Sequence, residues 1–337
     1  MTESSTPSRP PSVDEVRVAV IGGSGLYRLF DAGTVVSVDI DTPYGPTSSS
    51  ITIGERAGRR VAFLPRHGGD HSVAPHLINY RANIWALASL GVTAIISSSA
   101  VGGVSPEYPP GLLVVTDQFI DRTTGRADTF YDRGTVAHLA AADPFDPELR
   151  RFAIAALTAQ DEDFAPTGTV VVIQGPRFST RAESLWFRAA GAHTVNMTQY
   201  PEVVLAAELN IGMVNLSFVT DADAGLAPAA DEPGAADPDA VSAGLVFTRL
   251  RAAQPRILAA IDGILRALPQ EFAPRELIAP EHVRAVLDRR PGSAADLPAS
   301  TDASVSVVPA AVVPVVPVSV VPVSVVPVSV VPAGVAE

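Results

Sequence analysis

Cysteine is missing from all 337 residues. Disulfides, thiolate metal sites and a cysteine nucleophile are therefore excluded, and the chain is expected in the cytoplasm. Charge is sparse: only 18% of residues are charged, and the balance is acidic at −12. An acidic chain with no basic cluster is poorly built to grip nucleic acid or an anionic membrane. A small anionic ligand remains possible, because a local pocket can oppose the global sign. The first residues, "MTESSTPSRPPSVDE", lack the apolar core of a signal peptide and read as a disordered leader. A membrane span is also missing in substance. Ser304 to Ala336 carries no charge and is long enough to cross a bilayer, but Pro309, Pro314, Pro317, Pro322, Pro327 and Pro332 interrupt it. Each interior proline removes a helix hydrogen bond and clashes with the preceding turn, at a cost of ~3 kcal/mol or more. The repeated "VPVSV" predicts an extended, polyproline-like tail. Such a tail could dock or self-associate; low-complexity sequence with no part in chemistry is the favoured reading.

Apolar residues, by contrast, make up 47% of the chain, enough for a sizeable core. Near-continuous apolar runs end repeatedly in glycine or polar turns: 15–26, 59–68, 92–103, 111–120, 168–178, 192–198 and 212–223. Between several of them lie patterns of helical spacing, at 76–91, 181–191 and 201–212, and 239–268 reads as a long helix. Strands apolar on both faces, alternating with helices, imply an α/β fold: a single domain with a central mixed, largely parallel sheet flanked by helices. The expected organisation is a leader over 1–15, a catalytic domain over 16–270, a weakly helical extension over 271–300 and the tail over 301–337. The stretch 223–238 reads as a flexible acidic loop, a candidate lid.

In such sheets ligands bind at the carboxyl ends of the strands, and the polar motifs recur there. "GGSG" (22–25) offers backbone N–H groups and the Ser24 hydroxyl to a phosphate, although a tight strand-to-helix turn accounts for it equally well. It lacks the full dinucleotide fingerprint. "PRHGGDHSVAPH" (65–76) sets the cation Arg66 beside His67, which suits an anion. A metal at His67, His71 and His76 is disfavoured, because the spacing matches no helical zinc motif. "SSSAVGG" (97–103) offers the hydroxyls of Ser98 and Ser99 to a phosphate and, at Ala100, lets a planar ring approach the backbone. In "QGPRFSTRAE" (174–183), Phe178 is able to stack on a ligand or simply to fill core. "TDADAG" (220–225) ends an uncharged run with Asp221 and Asp223. Two residues apart in an extended segment, they face one side. Two nearby carboxylates push one pKa upward, which lets one of them hold a proton. A turn cap is the plain alternative for Asp223, and no metal-ligand spacing surrounds the pair.

Together these stretches resemble a family. "VIGGSGL", "RHG", "NYRANIWAL", "DQFIDRTTGRADTFYD", "AHLAAADPF", "GPRFSTRAES", "NMTQYPEVVLAAEL" and "TDAD" occur in the order found in the trimeric purine nucleoside phosphorylases, and specifically in the methylthioadenosine phosphorylase branch. The resemblance covers roughly residues 16–265. It implies a pentosyltransferase that joins phosphate to the ribosyl carbon of a purine nucleoside and releases the base, with no metal or organic cofactor, in a homotrimer. Carried over position by position, it implies that Ser24, Arg66, His67, Ser99 and Thr198 bind phosphate, with Ala100 on the ligand's flank. Met197 lines the ribose, Phe178 lies against base or sugar, and Asn196 joins the substrate contacts. Asp221 and Asp223 meet the purine and carry the catalysis. His138 reaches a neighbouring subunit's 5′ pocket, and Ser179 and Ala243 set specificity.

The sequence departs from the family pattern in places. Ser98–Ser99 replaces the usual threonine pair, Ala222 a large residue between the aspartates, and Gln174 a common glutamate. An aspartate at the base suits 6-aminopurines, because it accepts from N6–H₂ and, protonated, donates to N7; an asparagine suits 6-oxopurines. With Asp221 and Asp223 present, the expected substrate is 5′-methylthioadenosine; the small apolar stretch from Ala243 to Phe247, where the family shapes the 5′ pocket, suits a methylthio group and equally admits a hydroxymethyl. The alternatives are a broader or 6-oxopurine nucleoside phosphorylase and, from another class, a non-catalytic nucleotide-binding module.

Overall fold

Alternation along the apolar runs decides the layers. Val18 and Val20 pack on one side of the sheet, whereas Ala19 and Ile21 pack on the other. The same split recurs at Val61 and Phe63 against Ala62 and Leu64, and at Ala94 and Ile96 against Ile95. A strand buried on both faces needs apolar residues at every position, which is why the runs are continuous. Each fully buried Ile, Leu or Phe adds about 1.5–3 kcal/mol.

The computed structural model describes residues 16–30, 35–224 and 239–291. Its strands and helices are, in chain order, β1 (Val18–Gly22), β2 (Val36–Val38), β3 (Ile51–Arg56), β4 (Arg59–Pro65), α1 (Tyr80–Ser89), β5 (Ala94–Gly103), β6 (Leu113–Thr116), β7 (Gln118–Arg122), α2 (Pro147–Ala159), β8 (Phe164–Ala165), β9 (Thr169–Ile173), α3 (Arg181–Ala189), β10 (Thr194–Asn196), α4 (Gln199–Glu208), β11 (Gly212–Asp221), α5 (Ala243–Ala267) and α6 (Pro280–Leu287). The chain divides into a unit of residues 1–296 and a segment of residues 297–337. The expected leader, the tail and most of the candidate lid, from 225 to 238, lie outside the described residues.

One path of the sheet runs β2-β3-β4-β1-β5-β10-β9-β7, and β5 also pairs along its length with β11, which carries β6 and then β8. The sheet thus branches at β5. β1–β4, β1–β5, β5–β11, β6–β8, β7–β9 and β9–β10 pair in parallel, the others antiparallel. The fold is the expected α/β type with a mixed, largely parallel sheet. Helices α1, α4 and α6 cover one face, and α2 and α5 the other.

The expected strand over 111–120 is two strands. Asp117 separates them: its N–H donates to Gly168 O at 3.3 Å, and its Oδ1 accepts from Gly168 N–H at 2.7 Å. Past that point β7 follows β9, while β6 stays beside β11. Helix α2 was not among the expected helices, although its start follows the rules: Asp146 caps the N–H groups of Glu148 and Leu149, and Pro147 sits in the first turn. The segment 239–268 is helical from Ala243, and α6 accounts for the weak helical signal beyond 270. Among the described residues, no helix is long and apolar enough to cross a membrane.

Candidate active site

β1, β5, β10 and β11 deliver their carboxyl ends to one cavity of about 240 Å³. Its lining contains Ser24, Arg66, His67, Ser99, Ala100, Phe178, Asn196, Met197, Thr198, Asp221, Asp223 and Ala243. Residues from positions 24 to 243 are thus brought together, all of them sequence candidates. Ser179 and His138 are not in the lining. Ser179 Oγ is buried outside it, and His138 is exposed.

At one corner the loop after β1 presses onto β5. A Cβ on Gly23 would lie 2.4 Å from Ser98 O, so only glycine permits the approach. Gly23 N–H donates to Ser98 Oγ at 3.2 Å. Ser98, offered by the sequence beside Ser99 as a phosphate donor, is therefore a loop support. Alternation along β5 turns it away from the cavity, while Ser99 lines it.

Arg66 is 1% exposed. Its Nε and Nη2 donate to Glu202 at 2.6 and 2.7 Å, Nη2 donates to Ser97 Oγ at 2.7 Å, and Nη1 donates to Ser98 O at 3.0 Å. Four of five guanidinium N–H groups are thereby spent, leaving one on Nη1. Burial works to lower its pKa, and Glu202 outweighs that, so the guanidinium stays charged. Beside it, burial pushes His67 down to about 4, and the Arg66 charge adds to the effect. His67 is thus a neutral ring near pH 7, not a second cation. Its Nδ1 lies 2.9 Å from Val73 O. A carbonyl only accepts, so Nδ1 carries the proton and Nε2 is an acceptor.

At the other end lie the two aspartates, each 2% exposed. Asp221 ends β11. Its Oδ2 accepts from Thr220 Oγ1 at 2.6 Å, and its Oδ1 accepts from Asp223 N–H at 2.9 Å. Burial raises its pKa to about 6. The charge of Asp223 adds the expected upward push, but a lesser one: loss of water is the main cause. Asp223 lies beyond the strand, with φ +49°, so a turn rather than strand alternation aims it at the cavity. Burial raises its pKa too, against a hydrogen bond from Ser184 Oγ at 2.5 Å. Gly102 makes room for the pair, since a Cβ there would meet Asp221 Oδ1 at 2.9 Å.

Apolar side chains close the space between. Ala243, Val246 and Phe247 share one face of the first turns of α5, three and four residues apart. Phe247 meets the His71 ring edge-on at 5.3 Å. Asn196 borders the cavity, but its Oδ1 is spent accepting from Thr198 N–H and Gln199 N–H, and its Nδ2 donates to Ala100 O. It holds its neighbours more than it offers itself to a ligand. Among the described residues, no three His, Asp or Glu side chains converge as a metal site.

Three contributors escaped the sequence reading. Glu202 lay inside the quoted "NMTQYPEVV", with nothing to pair it with Arg66 across 136 residues. Arg126 lay inside "DRTTGRAD"; its guanidinium donates to Gln174 O, Met197 O and Tyr200 O, which fixes the backbone that carries Met197. Gln174 Oε1 accepts from Thr124 N–H at 3.0 Å and supports that same loop. Thr220 had no signal except its place before Asp221.

A parallel-rich sheet that gathers an anion-suited corner, two buried carboxyls and an apolar wall at its strand ends defines an α/β enzyme with a small-molecule site there. Residues 17–249 match the phosphorylase superfamily, and the chain belongs to it. A purine nucleoside phosphorylase of Streptomyces coelicolor is 51% identical over 219 residues, covering 63% of this chain and 78% of that protein. An S-methyl-5′-thioadenosine phosphorylase of Mycobacterium tuberculosis is 54% identical over 220 residues, covering 65% and 80%. Among solved structures, methylthioadenosine phosphorylase from Schistosoma mansoni in complex with adenine superposes with a TM-score of 0.69 at 30% identity, covering 81% of this chain and 98% of that one.

Proposed function

We propose that this enzyme splits S-methyl-5′-thioadenosine with phosphate, giving adenine and 5-methylthioribose 1-phosphate. One observation carries the reading: a buried carboxyl with a pKa of about 6 shares a cavity with an arginine, a neutral histidine and inward hydroxyls. Ser24, Ser99 and Thr198 donate to the phosphate oxygens, and Arg66 supplies charge and its remaining N–H. His67 Nε2 accepts the P–OH proton of hydrogen phosphate. A phosphate oxygen then attacks C1′ as the C1′–N9 bond breaks, and its negative charge stabilises the oxocarbenium-like transition state. The bonding electrons leave with the purine, which takes a proton at N7 from Asp221. Asp223, oriented by Ser184, accepts from the exocyclic N6–H₂. Ala243, Val246 and Phe247 receive the methylthio group, and Met197 and Phe178 flank the sugar and base. This chemistry needs neither metal nor organic cofactor.

The test is phosphate-dependent release of base from methylthioadenosine, adenosine and inosine in parallel. Adenine release fastest from methylthioadenosine is the expected result. Hypoxanthine release from inosine, with methylthioadenosine inert, would replace this reading with a 6-oxopurine nucleoside phosphorylase; the Streptomyces relative is named a purine nucleoside phosphorylase.

The proposal includes a homotrimer. His138 is exposed and outside its own chain's cavity, and nearby Val136 is 72% exposed; both suit a neighbouring subunit. Light scattering after size-exclusion chromatography is expected to give three times the chain mass. A fully active monomer would remove His138 from the mechanism.

A further inference from the structure

Behind Arg66 and Ser99 lies a second layer of buried polar side chains that does not line the cavity. Glu202 is 1% exposed and accepts from Arg66 and, at 3.0 Å, from Ser97 Oγ. Asn215, 0% exposed, donates through Nδ2 to Ser97 Oγ and Ser99 Oγ, each at 2.9 Å. Its Oδ1 accepts from Ser217 Oγ at 2.8 Å. The strand register makes this possible: Asn215 sits opposite Ser97 and Ser217 opposite Ser99, so alternate residues of β11 and β5 meet on one side.

Counting protons gives the layer a direction. Glu202, paired with Arg66, is a carboxylate and only accepts, so the single Ser97 proton goes to it. Ser97 Oγ then has to accept from Asn215, which turns Nδ2 toward both serines and Oδ1 toward Ser217. Ser99 Oγ therefore receives a donor from behind, and its own proton is left for a cavity ligand. Reversing any link would set two donors or two acceptors face to face in a buried layer, which is costly.

Resting on the phosphate site proposed above, we propose that Glu202 and Asn215 are positioning residues for the phosphate co-substrate. They fix the Arg66 guanidinium and set Ser99 as a hydrogen-bond donor, so phosphate affinity is governed in part by side chains that do not touch phosphate. Asn215→Asp inverts the layer at constant shape. Its carboxylate faces Ser97 Oγ as a second acceptor beside Glu202, draws the Ser99 proton out of the cavity and adds a negative charge.

The experiment is calorimetric titration of the full-length protein with inorganic phosphate, beside steady-state kinetics. Asn215→Asp is expected to weaken phosphate binding about 10- to 100-fold while the nucleoside KM moves by less than about threefold. Ser217→Ala removes the donor that orients the Asn215 amide, together with the partner of Gln199 Nε2 and Thr116 Oγ1; it is expected to weaken phosphate in the same direction by a smaller factor and carries the test alone if Asn215→Asp does not fold. In a Ser99→Ala background the Asn215→Asp effect is expected to shrink, because the pathway through Ser99 is gone. Phosphate affinity within twofold of wild type in both Asn215→Asp and Ser217→Ala overturns the proposal, as does an equal rise in phosphate and nucleoside KM. If the protein turns over no nucleoside, the proposed function fails, and the phosphate titrations still decide this point.

Discussion

Asp221→Asn is expected to cut kcat/KM for methylthioadenosine by about 10²–10⁴-fold, the usual worth of a positioned proton donor. The asparagine keeps the shape and the contact to Asp223 N–H but has no carboxyl proton for N7. The loss should be steeper for 6-aminopurine nucleosides than for 6-oxopurine ones, since an amide can serve O6 and N7 together. A second readout is independent of turnover. The carboxyl has a pKa of about 6 in the fold against 3.8 ordinarily, a raised value, so it favours folding fully at low pH and loses that contribution as pH rises through about 6. Two units correspond to ~3 kcal/mol. Asn does not titrate, so Asp221→Asn should gain stability relative to wild type between about pH 4 and pH 7. Thermal unfolding across that range reads it. Unchanged kcat/KM for 6-aminopurines would remove Asp221 from the chemistry, and a stability difference independent of pH would show that burial does not shift its carboxyl.

Arg66→Met should be the most destabilising single change near the site. It leaves Glu202, 1% exposed, without its counter-ion, and breaking one side of a buried pair costs about 3–5 kcal/mol. Phosphate KM should rise at least about 100-fold, because a charge-assisted contact is lost and an uncompensated negative charge remains behind the site. Adding Glu202→Leu should recover most of the stability, since an apolar pair of similar volume replaces a buried ion pair at little net cost. It should not recover phosphate use. Urea unfolding and phosphate titration of the two single variants and the double variant separate the effects. A single Arg66→Met within about 1 kcal/mol of wild type would contradict the buried-pair account.

The sequence reading reached most of the cavity because the strand ends carry unlike residues: glycines, hydroxyls, a histidine and carboxylates that no apolar core would hold. It erred where chemistry depends on which side a residue faces. Ser98 and Ser99 are equivalent as letters, yet one supports the Gly23 loop and the other lines the cavity. The letters leave the charge of His67 open, and burial holds it neutral. Asp221 and Asp223 look like a strand pair, yet a left-handed residue beyond the strand does the aiming. Ser179, read as a specificity residue, is not in the cavity lining, and Asn196 is in it but spends its Oδ1 on backbone N–H groups.

By itself the sequence determined the α/β class, the strands whose ends carry function, the family resemblance and the set of residue types available for chemistry. These follow from local periodicity and from short motifs, which are written in consecutive letters. Only the tertiary structure decided that Glu202 pairs with Arg66, that Asn215 backs Ser99, and that Asp221 loses enough water to hold a proton near pH 6. Those properties arise between residues more than a hundred positions apart or from the exclusion of solvent, and neither distance nor dielectric is written in neighbouring letters.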